Sequence, residues 1–249
     1  MNHLAKVGRK SRKDSNDEEM VAKQYHSLAA FKRCPIFAEL SSNVVNEALS
    51  SFSFGFFPWR KQVYTQGQKG SHLFVISAGR VRISRIAEGE RAQTIAYRGC
   101  NEIVGETVLL NGQTYRETAT STEYVETVAI PLSFIKSTIE TDSKFSMRFI
   151  RLMIERSLEA ERRIENFLKK GVEARVVDFI VGAAASHGIP ESRGTLIGMK
   201  FTHQEIADYV GSTRETVTII LGELRRRGLI QVDHRRLIVA NADALSKLV

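Results

Sequence analysis

Thr202-His203-Gln204-Glu205-Ile206-Ala207-Asp208-Tyr209-Val210-Gly211-Ser212-Thr213-Arg214-Glu215-Thr216-Val217 is the stretch on which the reading of the fold turns. It reads as two helices joined by a tight turn. Thr202 offers a hydroxyl to cap the first helix and Thr213 one to cap the second. Ile206, Ala207 and Val210 form the inner face of the first, where small Ala207 permits a close helix crossing. Gly211 stands where the turn needs positive φ. Val217, Leu221 and Leu224 recur at i, i+4 and i+7, the spacing of one helix face. The outer face carries Arg214, Glu215 and Thr218 in its first turns, where a helix lying in the major groove meets base edges. Arg225, Arg226 and Arg227 end this helix, favourable to its dipole and placed for phosphate.

Towards the C-terminus, short strands are expected at 229–232 and 237–239, on either side of Asp233-His234-Arg235-Arg236. That is the pattern of a winged helix-turn-helix that binds double-stranded DNA. Towards the N-terminus, 186–198 reads as turn-rich, and Val176, Val177, Phe179 and Ile180 mark another helix. Between Ser143 and Lys170 the apolar period is again helical, through Phe149, Met153, Ala160, Ile164 and Phe167, interrupted by Arg156. A helix of about 27 residues is roughly 40 Å long, beyond the usual globular length. A seam with charged flanks suits a two-stranded coiled coil between two copies, or packing on the chain's own domain.

From Phe54 to Pro131 short β-rich runs alternate with glycines: Leu73 to Ile76, Val81 to Ile83, and Tyr124 to Ile130. Closely spaced turns between short strands predict an antiparallel barrel or sandwich, with Gly79 in a tight turn. The first 25 residues lack apolar periodicity and read as a disordered polar tail. The domains expected are therefore the tail (1–25), a β-barrel (26–142), a dimerisation helix (143–170) and a DNA-binding module (171–249).

The net charge of +8 favours polyanionic partners only weakly, because of its distribution. From Gly171 onward ten Lys and Arg face nine Asp and Glu, whereas the first 33 residues carry eight against four. The expectation of DNA rests on motif and placement instead. Two distant cysteines, Cys34 and Cys100, support neither a disulfide framework nor a four-thiolate cluster. No 18-residue apolar run appears, so the reading is a cytoplasmic protein without a membrane span. No metal-ligand spacing or nucleophile–base set points to catalysis, so no enzyme is expected.

These residues resemble the Crp/Fnr family of bacterial regulators, from Cys34 to the C-terminus and most closely over Thr202 to Ile230. The resemblance implies an α+β chain. A cyclic-nucleotide-binding-type, jelly-roll-like β-barrel would be joined through a long dimerisation helix to a C-terminal winged helix-turn-helix. It implies base contacts by Arg214 and Glu215, chemistry that suits guanine and cytosine edges. It places Thr202, His203, Gln204, Thr213 and Thr216 near phosphates. Where the family commonly has a second reading arginine beside Thr218, this chain has Ile219, so its half-site should differ there. The expected partners are operator DNA, a second copy of the chain, and RNA polymerase.

The run from Gly105 to Ala119 looks like the family's phosphate-binding cassette, with Gly105, Glu106 and Arg116 at matching spacing. The resemblance implies that Glu106 holds a ribose hydroxyl and Arg116 a cyclic phosphate. Two departures count against cyclic AMP. Glu117 replaces the hydroxyl residue after the arginine, and the adenine-contacting hydroxyl pair falls on Ala160 and Glu161, although Arg156 is retained. The effector remains unknown at this stage: cyclic AMP, another small anion, or none, with the barrel vestigial. Neither an iron–sulfur cluster nor haem is expected. A ligand sensor acting mainly through protein contacts is the rival from another class.

Overall fold

The short strands and helices of the chain gather into two compact units. A computed structural model describes residues 29–86, 92–110, 114–233 and 236–248. The units part between Arg151 and Leu152, inside one helix, with Ile95 and the residues just before it counted in the second. The polar stretch 1–25, Asn111 to Gln113, and His234 and Arg235 lie outside the described residues.

In the first unit the strands are β1 (Ser53–Phe57), β2 (Gln62–Tyr64), β3 (His72–Ala78), β4 (Val81–Arg85), β5 (Gln93–Arg98), β6 (Ile103–Val104), β7 (Thr118–Ser121) and β8 (Val125–Pro131). They form two four-stranded sheets, ordered β1-β8-β3-β6 and β2-β7-β4-β5. The antiparallel pairing of β3 with β8 sets Leu73 against Ile130 and Val75 against Val128. All four side chains are fully buried, each a stabilising contribution of roughly 1.5–3 kcal/mol. Gly79 follows β3 with φ 77°, and a Cβ there would come within 2.2 Å of the Tyr124 carbonyl oxygen. The turn differs from a hairpin, however. Its flanking strands belong to different sheets, so Gly79 carries the chain across the sandwich while β3 pairs with a strand distant in sequence.

Helices α1 (Ser42–Ala48), α2 (Leu132–Thr141) and α3 (Ser143–Lys169) accompany this unit, α3 running on into the second. Asp142 caps α3 by accepting from the Phe145 N–H at 2.9 Å. Phe145 is buried, with its ring 5.6 Å from Phe37, which stacks on Phe31 at 4.5 Å. Arg148 donates to the Ile36 carbonyl at 3.1 Å and pairs with Glu39 at 2.7 Å. These contacts fix the rotation of α3 about its axis and so decide which residues face outward. Phe149 and Met153, expected on the outward seam, are half-buried. The exposed large apolar residues are Met147, Ile150, Ile154, Leu158, Ile164, Phe167 and Leu168, so the later seam residues Ile164 and Phe167 are exposed as expected. Two neighbouring apolar stripes share this helix, and a period of about 3.5 residues does not say which one the chain covers itself.

The second unit holds α4 (Val172–His187), β9 (Gly188–Glu191), β10 (Gly194–Lys200), α5 (His203–Val210), α6 (Arg214–Arg226), β11 (Ile230–Asp233), β12 (Arg236–Val239) and α7 (Ala242–Ser246). Its sheet is ordered β11-β12-β10-β9. The expected wing strands are present, and the segment read as turns is a hairpin that enlarges their sheet. Pro190 disguised it: β9 is an edge strand, where a missing N–H costs no ladder bond. Val176, Val177, Ile180, Ile197, Ile206, Leu224 and Ile230 form a fully buried core beneath this sheet and the helices.

Candidate nucleic-acid interface

The two helices of the motif are held by local hydrogen bonds that the sequence encodes. Thr202 Oγ1 accepts from the Glu205 N–H at 3.1 Å, and Glu205 Oε2 accepts from the Thr202 N–H at 2.8 Å, a reciprocal capping box. Gly211 ends α5 with φ 64°, and a Cβ there would meet the Phe167 ring at 2.6 Å. Thr213 caps α6 by accepting from the Thr216 N–H at 3.2 Å. Ile206, Ala207 and Val210 face Val217, Leu221 and Leu224 in the core, all buried. The crossing of the two helices is thereby fixed from both ends.

Two arginines brace the turn from outside the motif. Arg163, near the end of α3, donates to the Tyr209 carbonyl at 2.8 Å, and Arg175 of α4 donates to the Val210 carbonyl at 2.9 Å. Both guanidinium groups also sit against the ring of Phe167, at 5.7 and 5.0 Å from its centroid. They supply cations to the carbonyl end of α5. Phe167, expected on the seam, is exposed and also takes part in this brace.

Arg214, Glu215, Thr218 and Ile219 are all exposed on α6, at i, i+1, i+4 and i+5. Ile219 is 70% exposed, a large apolar group turned to solvent. The Thr218 hydroxyl donates to the Arg214 carbonyl at 2.8 Å and lies 2.7 Å from His203 Nδ1. Gln204 Nε2 donates to Asp208 Oδ1 at 2.7 Å, and the Thr213 and Thr216 hydroxyls lie 2.9 Å apart. Of the terminal arginines, Arg226 pairs with Glu223, Arg227 lies 3.4 Å from Glu173, and Arg225 is exposed. Arg193 bridges Glu191 at 2.9 Å and Asp233 at 2.7 Å, tying the β9–β10 hairpin to the base of the wing.

The cassette is built differently. Gly105, with φ 87°, opens a short 3₁₀ turn from Glu106 to Leu109. Arg116 is exposed whereas Glu117 is buried, so the adjacent side chains point to opposite faces. Glu117 does not reach for Arg116. Its carboxyl accepts from the Thr107 hydroxyl at 2.9 Å and the Tyr64 hydroxyl at 3.4 Å. Burial pushes this carboxyl above its usual range, against the opposing pull of those hydroxyls and of Arg85 and Arg116. Beside it Tyr115 stacks on Tyr64 with ring centroids 4.1 Å apart and donates to the His72 carbonyl at 2.8 Å. Burial also lifts the Tyr115 phenol to about 12. Tyr64, Thr107 and Tyr115 were not singled out in the sequence. Thr107 and Tyr115 lie within the cassette run and Tyr64 far outside it, and only the three-dimensional arrangement around Glu117 brings them together. Arg156 and Glu161 lie on the part of α3 that belongs to the second unit, where Glu161 lies 3.4 Å from the Ser157 hydroxyl.

Among the described residues, no three His, Cys, Asp or Glu side chains cluster as metal ligands. Among them also, no helix is long and apolar enough to cross a membrane.

Comparison with known proteins matches residues 174–248 to the Crp-like helix-turn-helix domain and residues 56–142 to the cyclic nucleotide-binding domain. The global nitrogen regulator of Synechococcus elongatus is 29% identical over 216 residues, covering 85% of this chain and 94% of that protein. The CRP-like cAMP-activated global transcriptional regulator of Mycobacterium tuberculosis is 24% identical, covering 77% of this chain and 85% of that one. Among solved structures, FixK2 from Bradyrhizobium japonicum superposes with a TM-score of 0.71 at 18% identity, covering 79% of this chain and 96% of that chain. That likeness is one of fold.

Proposed function

The chain belongs to the Crp/Fnr family and is a DNA-binding transcriptional regulator; on that footing we propose that it acts as a homodimer on a two-fold symmetric operator. The observation that carries the proposal is the first turn of α6, where Arg214 and Glu215 stand exposed on a helix fixed at both ends. Arginine pairs bidentately with guanine and a carboxylate accepts from cytosine N4. Thr202, His203, Gln204, Thr213 and Thr216 surround this helix start and are assigned to phosphates. The exposed apolar row of α3 supplies the face for a second copy. In this division of labour 26–142 is the barrel, 143–170 the dimer helix and 171–249 the DNA module. The protein would work in the cytoplasm with RNA polymerase as its further partner, and we assign it no catalysis.

For the barrel, the proposal is the effector-independent one, because the residue in place of the cassette's hydroxyl, Glu117, is held inside the fold by Thr107 beside the Tyr64–Tyr115 stack. Gly105, Glu106, Arg116, Arg156 and Glu161 accordingly receive no ligand in this proposal.

Selection of bound sequences from a random DNA library tests the reading. The expected result is an inverted repeat whose half-site centres lie about one helical turn, roughly 34 Å, apart. Cyclic AMP is expected to leave both motif and affinity unchanged. Binding without sequence preference would overturn the DNA assignment, and a motif that emerges only with cyclic AMP would overturn that of the barrel.

A further inference from the structure

The hydrogen bonds of Thr218 and the exposure of Ile219 together say which chemical feature of the bases the second turn of α6 meets. Thr218 has one hydroxyl, and it is committed on both sides: it donates to the Arg214 carbonyl at 2.8 Å and lies 2.7 Å from His203 Nδ1. A hydroxyl carries one O–H, so donation from Thr218 to a base would have to break the bond to the Arg214 carbonyl. The methyl of its side chain is committed to neither partner. Ile219, adjacent and 70% exposed, has only hydrocarbon to offer. Both residues are β-branched and stiff at χ1, so little rotamer freedom is lost on docking. One turn further on, Gly222 has open space where a Cβ would be. A glycine in a helix interior costs about 1 kcal/mol relative to alanine, and here its small size lets the helix backbone approach a groove wall closely. The outer face of α6 thus changes character along its length, charged at Arg214 and Glu215 and apolar at Thr218 and Ile219.

The major groove presents one apolar feature on its base edges, the 5-methyl group of thymine. We infer that Thr218 and Ile219 form an apolar reading patch for thymine methyl groups, one or two per half-site, beside the polar readout by Arg214 and Glu215. The inference rests on the reading of α6 as the groove-bound helix and adds the base class at its second turn.

Deoxyuridine tests it, because it removes the 5-methyl and leaves every hydrogen-bonding group of thymine in place. On the operator obtained by selection, each thymidine is replaced in turn and the affinity measured by fluorescence anisotropy at fixed salt. Replacement at one or two positions per half-site is expected to weaken binding about fourfold per methyl, the factor for burying one methylene-sized group. Ile219→Ala and Thr218→Ser should each erase the difference at one position, whereas Thr218→Val, which keeps the methyl and drops the hydroxyl, should retain it. Thermal melting checks that each variant is folded. Equal affinity for thymidine and deoxyuridine at every position, on an operator still bound specifically, would overturn the inference and leave the proposed function standing. Loss of discrimination in Thr218→Val with retention in Thr218→Ser would overturn it in favour of a hydroxyl contact. Failure to select any sequence would overturn the underlying reading as well.

Discussion

The outer face of α6 and the interior of the cassette both gather charged and hydroxyl side chains, and they use them in opposite ways. On α6, Arg214 and Glu215 stand in solvent on a helix whose caps, core and turn are settled by other residues. In the cassette, Glu117 is enclosed, held by Thr107 and Tyr64 and flanked by the Tyr64–Tyr115 stack. The first arrangement leaves its charges for a partner; the second satisfies a buried charge within the fold. A cassette recognisable by its glycine, glutamate and arginine spacing can therefore carry a carboxylate that the fold itself satisfies, on the face opposite the exposed Arg116. The matching spacing at α6 leaves the binding groups uncovered.

The largest effect is expected from disturbing what would join two copies, since on the proposed two-fold operator the exposed groups of α6 would read only in pairs. Ile154→Asp places a carboxylate in the middle of the exposed apolar residues of α3. Burying it between two copies would cost several kcal/mol. Sedimentation should show the variant as a monomer and the wild type as a dimer. Phe149→Asp, on the half-buried side, should instead lower the melting temperature of the first unit. A monomeric wild type would break the comparison at its root.

Next in size is Arg214→Ala, expected to cost roughly 1–3 kcal/mol on the preferred operator and to relax preference at one guanine per half-site. An equal loss on all sequences would mean that Arg214 touches only phosphate. Ile219→Arg sharpens the same contrast, because a guanidinium in place of the apolar group should draw the selected motif towards guanine at that position.

The unequal legibility of the two regions has a physical cause. The helix-turn-helix is specified by local rules: caps three residues from the groups they satisfy, a glycine at positive φ, and apolar positions at helical spacing. Thr202, Gly211, Thr213 and Leu221 could all be placed from their neighbours in sequence, and the structure puts them there. The cassette depends on pairs far apart in the chain. Tyr64 meets Glu117 across 53 positions, and Tyr115 donates to His72 across 43. No periodicity announces such pairs. The long helix falls between these cases: its length could be read, but its outward face was set by Phe37 and Glu39, which lie in a distant segment. The β9–β10 hairpin is hidden in the sequence because Pro190 speaks against a strand anywhere but at an edge.

The smallest effect tests whether Glu117 is satisfied internally, as the comparison requires. Burial raises its carboxyl above the ordinary range, so the folded protein holds that proton to higher pH than the unfolded chain does. A carboxyl shifted in this direction contributes stability that is fully present below the unfolded carboxylate range. That contribution is lost as pH rises through the folded value. Glu117→Gln has no charge to bury, and its amide keeps partners for the Thr107 and Tyr64 hydroxyls. The variant should melt higher than the wild type near neutrality. The two curves should converge as pH falls below the ordinary carboxylate range. Calorimetric melts of both proteins across that span decide the matter. A variant less stable than the wild type at neutral pH would show that the ionised carboxylate is wanted there, with Arg85 or Arg116 as its counter-charge. The cassette would then resemble the outer face of α6, holding a charge for an interaction instead of enclosing it.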